Sequence, residues 1–590
     1  MSPSYASYLP KIRSNQNGPA LRTSNGASYW KLLFLEFAPA VSNASANLVE
    51  FGVAGSSQSS LSGVPQHLVI DRCYLHGDAG WGQRRGVALN SGDAQIVNSY
   101  FSEFKGVSQD TQAIAGWNGP GPFLIENNYV EAAGENILFG GSDPSIPNLV
   151  PSNITIRRNL ITKQTKWMTE SWTVKNLIEF KNAAHVKVEG NTIQNNWASG
   201  QQGYSILMTP RNQSGTAPWT VVKDITVQNN VIRHMSGGFN VLGWDNLANS
   251  LQTQDIVIRN NLMYDVTTAW QTPNHPAPAR FAIIGGGPKN ITIDHNTVDN
   301  NGSSTIFFYG GYAPSGVKIP GMEITNNLLR DNSYAIYGDK YGEGSVGLAA
   351  YAPTAVTVRN TFAGGASKQY PTGNDFPTQA QWFADFIGEL AGDYRLTSTS
   401  LSNNSGTDGK DLGVDFTELN AALNGSSSST IEPPPPPPPT TGTIKIEFEN
   451  YDAGGQGVAY NDTTSGNSGG VFRSNSVDIQ ATTDTGGGYN IAWVKATEWL
   501  KYTTTLAASR TYSIDVRVAC SGSGAAFHIE VDGVNKTGSI AVPNTGGWQT
   551  WTTVTRTGIS LSAGSHVFKV VMDTNSSSGS VGNFNWFAIR

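Results

Sequence analysis

Four ionisable side chains at repeat-related positions could do chemistry together: Glu179, Lys181, Arg211 and Asp245. They follow the apolar pairs Leu177-Ile178, Ile206-Leu207 and Val241-Leu242, so stacking those pairs brings the four to one edge. Trp244 and Tyr309 fall nearby as rings. Charged residues are only 14% of the chain, which makes such a concentration notable. Two reactions suit the set. A lysine whose proton affinity is lowered by a neighbouring guanidinium can take the proton α to a carboxylate, while a cation stabilises the enolate-like intermediate. That reading makes Lys181 the base beside Arg211. Alternatively Glu179 and Asp245 act as acid and base or nucleophile, their separation setting the stereochemical course. A third reading gives the set no task, Glu179 and Lys181 being a solvated strand pair.

Groups so distant in sequence meet only if a repeat stacks them. An apolar-x-apolar phrase followed by Asn recurs as FLIENNYV, ITIRRNLI, VKVEGNTI, ITVQNNVI, IVIRNNLM, ITIDHNTV and MEITNNLL. Its asparagines are Asn128, Asn159, Asn191, Asn230, Asn261, Asn296 and Asn327, with Cys73, Ser99 and Thr361 filling the same column at the ends. A period of about thirty residues fits one coil of three short strands. Alternation within each strand buries one face, and Asn at a corner can stack as an amide ladder. A second phrase per coil (ENILFGG, NLIEFKN, SILMTPRN, NVLGWDN, AIIGGG, TIFFYGG) carries the candidate site. The expected fold is all-β: a right-handed parallel β-helix over residues 1–425, then a second module. After Thr361 the repeat fades; QAQWFADFIGEL reads as a short helix, and the text after it as a tail covering the last coils.

Composition sets the outer limits. Gly reaches 65, hydrophobic residues are 38%, and the net charge of -6 leaves no basic footprint for nucleic acid. No apolar run is long enough to span a membrane. Cys73 and Cys520 lie in different modules and are expected as free buried thiols. MSPSYASYLPKIR lacks the apolar stretch of a secretion signal, so a trimmed or truncated start is expected. His76, Asp78, Arg84 and Arg85 read as a loop with ordinary ion pairs, whereas Glu135, Asn136 and Asp143 flank the candidate edge. No His or Cys cluster suggests zinc.

Residues 426–443, SSSSTIEPPPPPPPTTGT, read as a Ser/Pro-rich linker, extended and semi-rigid. From residue 444 to 590 short strands with aromatic and Gly-rich turns suggest a β-sandwich of jelly-roll type. Its phrases IEFENYD, GGYNIAWVKATEWLKYT, VPNTGGWQTWTTV and NFNWFAI resemble carbohydrate-binding modules of family 6. That resemblance implies a sugar cleft formed by Tyr489, Trp548 and Asn583, with Glu449 or Tyr460 at its rim. It also implies a structural calcium ion held by Glu447, Glu449 and Asn585. Trp499, Trp551 and Trp586, inside strand-like text, are assigned to the core.

The repeats themselves look like the pectate-lyase-like β-helix superfamily, which holds lyases, hydrolases and non-catalytic adhesins. The motifs of polygalacturonases are absent. EFKNAAHVKVEGNTI is similar to the strand carrying the catalytic lysine in polysaccharide lyase family 6. That similarity implies Lys181 as base, Arg211 as acid or carboxylate partner, and Glu179 as a calcium ligand in the groove. The expectation is a secreted, monomeric, polysaccharide-degrading enzyme, lyase before hydrolase, with a non-catalytic glycan binder as the alternative.

Overall fold

In a computed structural model the described residues are 1–590 except 17, 43–45, 311–316, 390–391, 426–443, 453, 474, 486–487 and 507–509. The expected linker thus lies outside the described residues. Contacts divide the chain into two compact units, Met1–Thr430 and Ile431–Arg590.

The first unit winds through three long sheets of 12, 12 and 11 strands, and successive strands go to a different sheet each time except Tyr334–Gly338 and Gly342–Glu343, which share one. One turn comprises Tyr129–Ala132, Glu135–Phe139 and Ser152–Arg157. Within each sheet neighbouring strands pair in parallel, save for Gly342–Glu343, which pairs antiparallel with Tyr334–Gly338. This is the right-handed parallel β-helix expected from the repeat. Strand alternation explains it: Ile154, Val186, Ile225, Ile256, Ile291 and Met322 stand in register in the third sheet, all buried. Each stacked aliphatic group gains on the order of 2 kcal/mol by leaving water.

The amide ladder is present rung by rung. Asn128 Nδ2 donates to Asn159 Oδ1 at 3.0 Å, and the same link runs through Asn191, Asn230, Asn261, Asn296 and Asn327. Each Oδ1 also accepts the backbone N–H of the preceding rung, as Asn230 does from Asn191 at 2.9 Å. The residue before each rung turns the chain through a positive φ, among them Asn127, Arg158, Asn229, Asn260, His295 and Asn326. Ser99 and Cys73 close the column at the other end, the Cys73 N–H donating to Ser99 Oγ at 3.0 Å.

Thr361 does not occupy the column. Asn327 Nδ2 donates to Asn360 Oδ1 at 2.8 Å, and Asn360 Nδ2 to Asn374 Oδ1. Taking Val358 as the inward residue misplaces the rung by one. Instead Thr357 pairs with Ile324 and is buried, while Val356 is exposed. A one-residue slip exchanges the faces of a strand.

Two further elements differ from the reading of the tail. The end of the coil stack is covered by a helix, Gly344–Tyr351, whose Leu348 and Tyr351 join the core. The tail, including the helix Gln379–Ala384 and the helix Phe416–Asn424, instead runs along the flank. Trp382, Leu412 and Leu419 pack there on Leu262 and Leu328, and the Asp415 N–H donates to Asn260 Oδ1 at 2.7 Å.

The second unit is an antiparallel sandwich of two six-stranded sheets around Phe448, Tyr502, Phe568, Phe584 and Phe587. Trp499, Trp551 and Trp586 are not in this core but half-buried outside it. Leu500 and Tyr502 take the inward positions, and Trp499 lies under Lys501 and Lys569, Trp586 under Lys445. Ammonium groups over indole faces satisfy an exposed tryptophan without burial. Cys73 and Cys520 are free and buried. No described helix is long and apolar enough to cross a membrane.

Candidate functional site

The second sheet of the β-helix builds the site. Its outward positions at one register carry Leu138, Glu179, Leu207, Asn240, Ile283 and Phe307, one per rung. Above them lies a groove of about 490 Å³ lined also by Lys181, Gln202, Arg211, Asn246 and Tyr309. Two further compartments, about 220 and 570 Å³, share Gln201 and Gln202 with it and extend along the same face. The glutamines sit on the loop after Asn196, held down where Asn176 Nδ2 donates to Gln201 Oε1 at 2.9 Å. Tyr309 lies flat over Gly285, where a Cβ would stand 2.0 Å from its ring.

The expected charges meet here, in two pairs. Lys181 Nζ is 3.3 Å from Glu179 Oε1, and Arg211 Nη1 is 3.0 Å from Asp245 Oδ1. The Arg211 N–H donates to the Lys181 carbonyl at 2.9 Å, fixing the arginine one rung above the lysine. Each cation therefore has its own carboxylate, and neither guanidinium nor ammonium is left to repel the other. The expected Lys181–Arg211 pairing is thus realised as two separate ion pairs. Burial pushes the Glu179 carboxyl up to about 6, opposed by Lys181 and reinforced by the nearby Glu135 charge.

Asp245 departs from expectation. Its carboxylate is closed to solvent, accepts from the N–H groups of Asn212 at 2.6 Å and Leu247 at 2.9 Å, and forms the ion pair with Arg211. It anchors the arginine and its own turn and is not among the groove-lining residues. Trp244 is not among the groove-lining residues. Asp143 likewise holds a turn, accepting from the N–H groups of Ser214 and Thr216. Asp78 accepts from the N–H of Gly80 and of Trp81, an ordinary loop as expected.

Sequence reasoning missed the amides. Glu179 Oε2, Asn240 Oδ1 and Asn246 Oδ1 are buried yet have no hydrogen-bond partner within the described residues. Such atoms are costly unless something else serves them. Asn240 and Asn246 flank the apolar pair of NVLGWDN, and an amide there carries no charge or repeat to mark it.

Calcium in this groove does not fit. Two carboxylates line it, Glu179 and Asp339, beside two cations, and no group of three or more metal-ligating side chains gathers among the described residues. In the second unit the fit is better. Burial and the neighbouring Glu447 push Glu449 up to about 7, and its Oε2 is closed off without a partner. An oxygen of that kind suits a hard cation. Asn585, however, donates its amide to Asp484 Oδ2 at 2.9 Å, and Glu447 pairs with Lys445 at 2.8 Å.

Two of the residues expected at the sugar cleft are directly linked. Asn583 Nδ2 donates to the Trp548 carbonyl at 2.5 Å, tying the amide to the turn that carries the indole. Trp548 and Tyr489 are half-buried against the core, and Tyr489 stands 5.0 Å from the exposed ring of Phe472. Gln549 braces the turn, donating to Asn490 Oδ1 at 3.1 Å. Half-exposed rings beside an anchored amide form a surface for a sugar's C–H face and hydroxyls.

Residues 471–590 match the carbohydrate-binding module of family 6. Over 120 residues the chain is 31% identical to the clotting factor G alpha subunit of Tachypleus tridentatus, spanning 20% of this chain and 17% of that protein's length. A family 6 module of Cellvibrio mixtus lichenase 5A, in complex with cellotriose, is 33% identical, covering 25% of this chain and 95% of that one, with a TM-score of 0.20. A β-1,3-glucan-binding family 6 module from Bacillus halodurans is 31% identical over the same shares, also with a TM-score of 0.20.

Proposed function

We propose that this is a secreted polysaccharide-degrading enzyme of pectate-lyase-like type, acting as a monomer. Its β-helix groove carries out the reaction and its family 6 module holds the polymer. The observation that carries this reading is the set of buried, unpartnered oxygens of Glu179, Asn240 and Asn246 around one groove beside Lys181, Arg211 and the rings of Phe307 and Tyr309. A hydroxyl-rich chain supplies the missing hydrogen bonds and lays its apolar faces on the rings.

The chemistry is β-elimination. Lys181, the more accessible member of its pair, passes its extra proton to Glu179 and takes the C5 proton next to a uronate carboxylate. It gives that proton to the departing glycosidic oxygen as the C4–O bond breaks and the C4–C5 double bond forms. Arg211, held by Asp245, faces that carboxylate and stabilises the charge that develops on it. Glu179 beneath positions the ammonium and, with its raised proton affinity, narrows the cost of passing a proton from lysine to carboxylate. In the module, Trp548, Tyr489 and Asn583 hold sugar, while Glu447 and Glu449 hold a calcium ion that stiffens the entry strand.

One experiment tests both halves: the full chain, Lys181→Ala and Trp548→Ala are incubated with a panel of soluble and insoluble polysaccharides. Lys181→Ala should keep retention on the polymer and lose the ultraviolet absorbance of the unsaturated product by more than about a hundredfold. Trp548→Ala should lose retention while still cleaving soluble substrate. New reducing ends without that absorbance would replace elimination by hydrolysis. Full activity in Lys181→Ala would remove the lysine from the reaction.

A further inference from the structure

The groove has a second charged feature outside the Glu179–Lys181 pair. In the second sheet Tyr204 stands in register with Gly237, and Gly237 with Arg280. A Cβ on Gly237 would stand 2.9 Å from the Tyr204 ring, so the glycine lets that ring lie across the rung towards the arginine. Arg280 is fixed from its other sides: Nε donates to Ser304 Oγ at 2.8 Å, and the guanidinium lies 4.4 Å from the Phe307 ring centre. It forms no ion pair among the described residues, whereas Lys181 and Arg211 each have one. The 570 Å³ compartment that it lines is bordered by Gln202, Tyr204, Asn274 and His275, and by no described carboxylate.

A guanidinium held by the hydroxyls of Ser304 and Tyr204 and by the Phe307 ring, half-buried and without a counter-ion, keeps N–H groups that suit an anion. In a chain of net charge -6 such a site is not a by-product of general basicity. Ile178–Phe180 and Arg280–Gly285 are three rungs apart in the sheet order, about 14 Å at the usual inter-strand spacing. That is longer than one sugar ring, so an anion at Arg280 belongs to a different residue of the polymer from the one at Lys181.

We propose that Arg280, with Tyr204, forms an anion-recognising subsite, and that the groove therefore takes an acidic glycan with charged groups on more than one sugar. The inference rests on the groove being the polysaccharide site but not on the reaction performed there. The anion is a carboxylate or a sulfate ester, which share the guanidinium's two-pronged hydrogen bonding.

Calorimetric titration tests this, using full chains that carry Trp548→Ala to weaken the module's contribution. The probes are oligomers of a polyuronate, the same oligomers with reduced carboxyl groups, and oligomers of a sulfated galactan. At least one acidic set should bind, more weakly as salt is added. Arg280→Gln should weaken it by about tenfold or more, with Arg280→Lys recovering part. Gly237→Val, which displaces Tyr204 without altering a charge, should weaken the same oligomers. The reduced oligomers should not distinguish Arg280→Gln from its parent. Equal affinity of parent and Arg280→Gln for every acidic oligomer, with both folded by thermal unfolding, would overturn the subsite. Arg280-dependent binding without turnover would leave the subsite standing and remove the enzyme reading instead.

Discussion

At the scale of single residues, Glu179 shows how a strand position becomes chemically unusual. The side chain is outward in the strand but roofed by the groove, so it is buried without entering the core. Its carboxyl titrates at about 6, above the ordinary 4.5 of an unfolded chain. Between those values the folded protein keeps a proton that the unfolded chain has released. This group therefore favours folding at low pH, and that benefit is lost as pH rises through about 6. Denaturant unfolding should show the stability gap between Glu179→Gln and the parent moving by about 2 kcal/mol in the variant's favour from about pH 4 to about pH 7. A gap that does not move with pH would place Glu179 in water. The residue pattern made Glu179, Lys181 and Arg211 legible because apolar pairs set the register. It gave no sign that Asp245 would be spent on backbone N–H groups, since the turn that carries it has no repeat to be aligned with.

At the scale of elements, the corner asparagines do more than fill a column. Asn230 links Asn191 and Asn261 and also donates to the carbonyls of Val188 and Gln228. Asn230→Ala should cost about 3 kcal/mol, because the Asn191 N–H is left buried without an acceptor. Asn230→Ser should cost less, since Ser99 already shows a hydroxyl serving a rung, accepting from the Cys73 N–H and donating to the Val97 carbonyl. Equal losses, measured by thermal unfolding, would mean that the amide chain adds nothing beyond its volume. Most of the stack was readable because its period and its asparagine are chemical necessities of a coil. The end cover was not: Gly344–Tyr351 buries Leu348 and Tyr351 only because the stack ends there, and no local pattern announces an end. The slip at Asn360 has the same origin, a threonine at an inward position where an aliphatic residue is expected.

At the scale of the whole molecule, the two units have separate cores and should unfold as two transitions. Calcium should raise only the transition of the family 6 module, and a chelator should lower it. Because Glu449 titrates at about 7, calcium affinity should fall as pH drops below that value, the proton competing for the carboxylate. Calorimetry with and without chelator at two pH values checks this. A chelator that leaves both transitions in place would argue against the ion.

The flank-hugging tail has a mechanical consequence. The last described residues of the first unit reach Gly425 beside Arg158, and Ala422 rests on Gly190, in the middle of the stack. A pull transmitted through the chain beyond Gly425 thus enters at mid-height. The helix Phe416–Asn424 and its docking on Asn260 take that load as shear across several turns at once, where a tether at the last turn would unzip them singly.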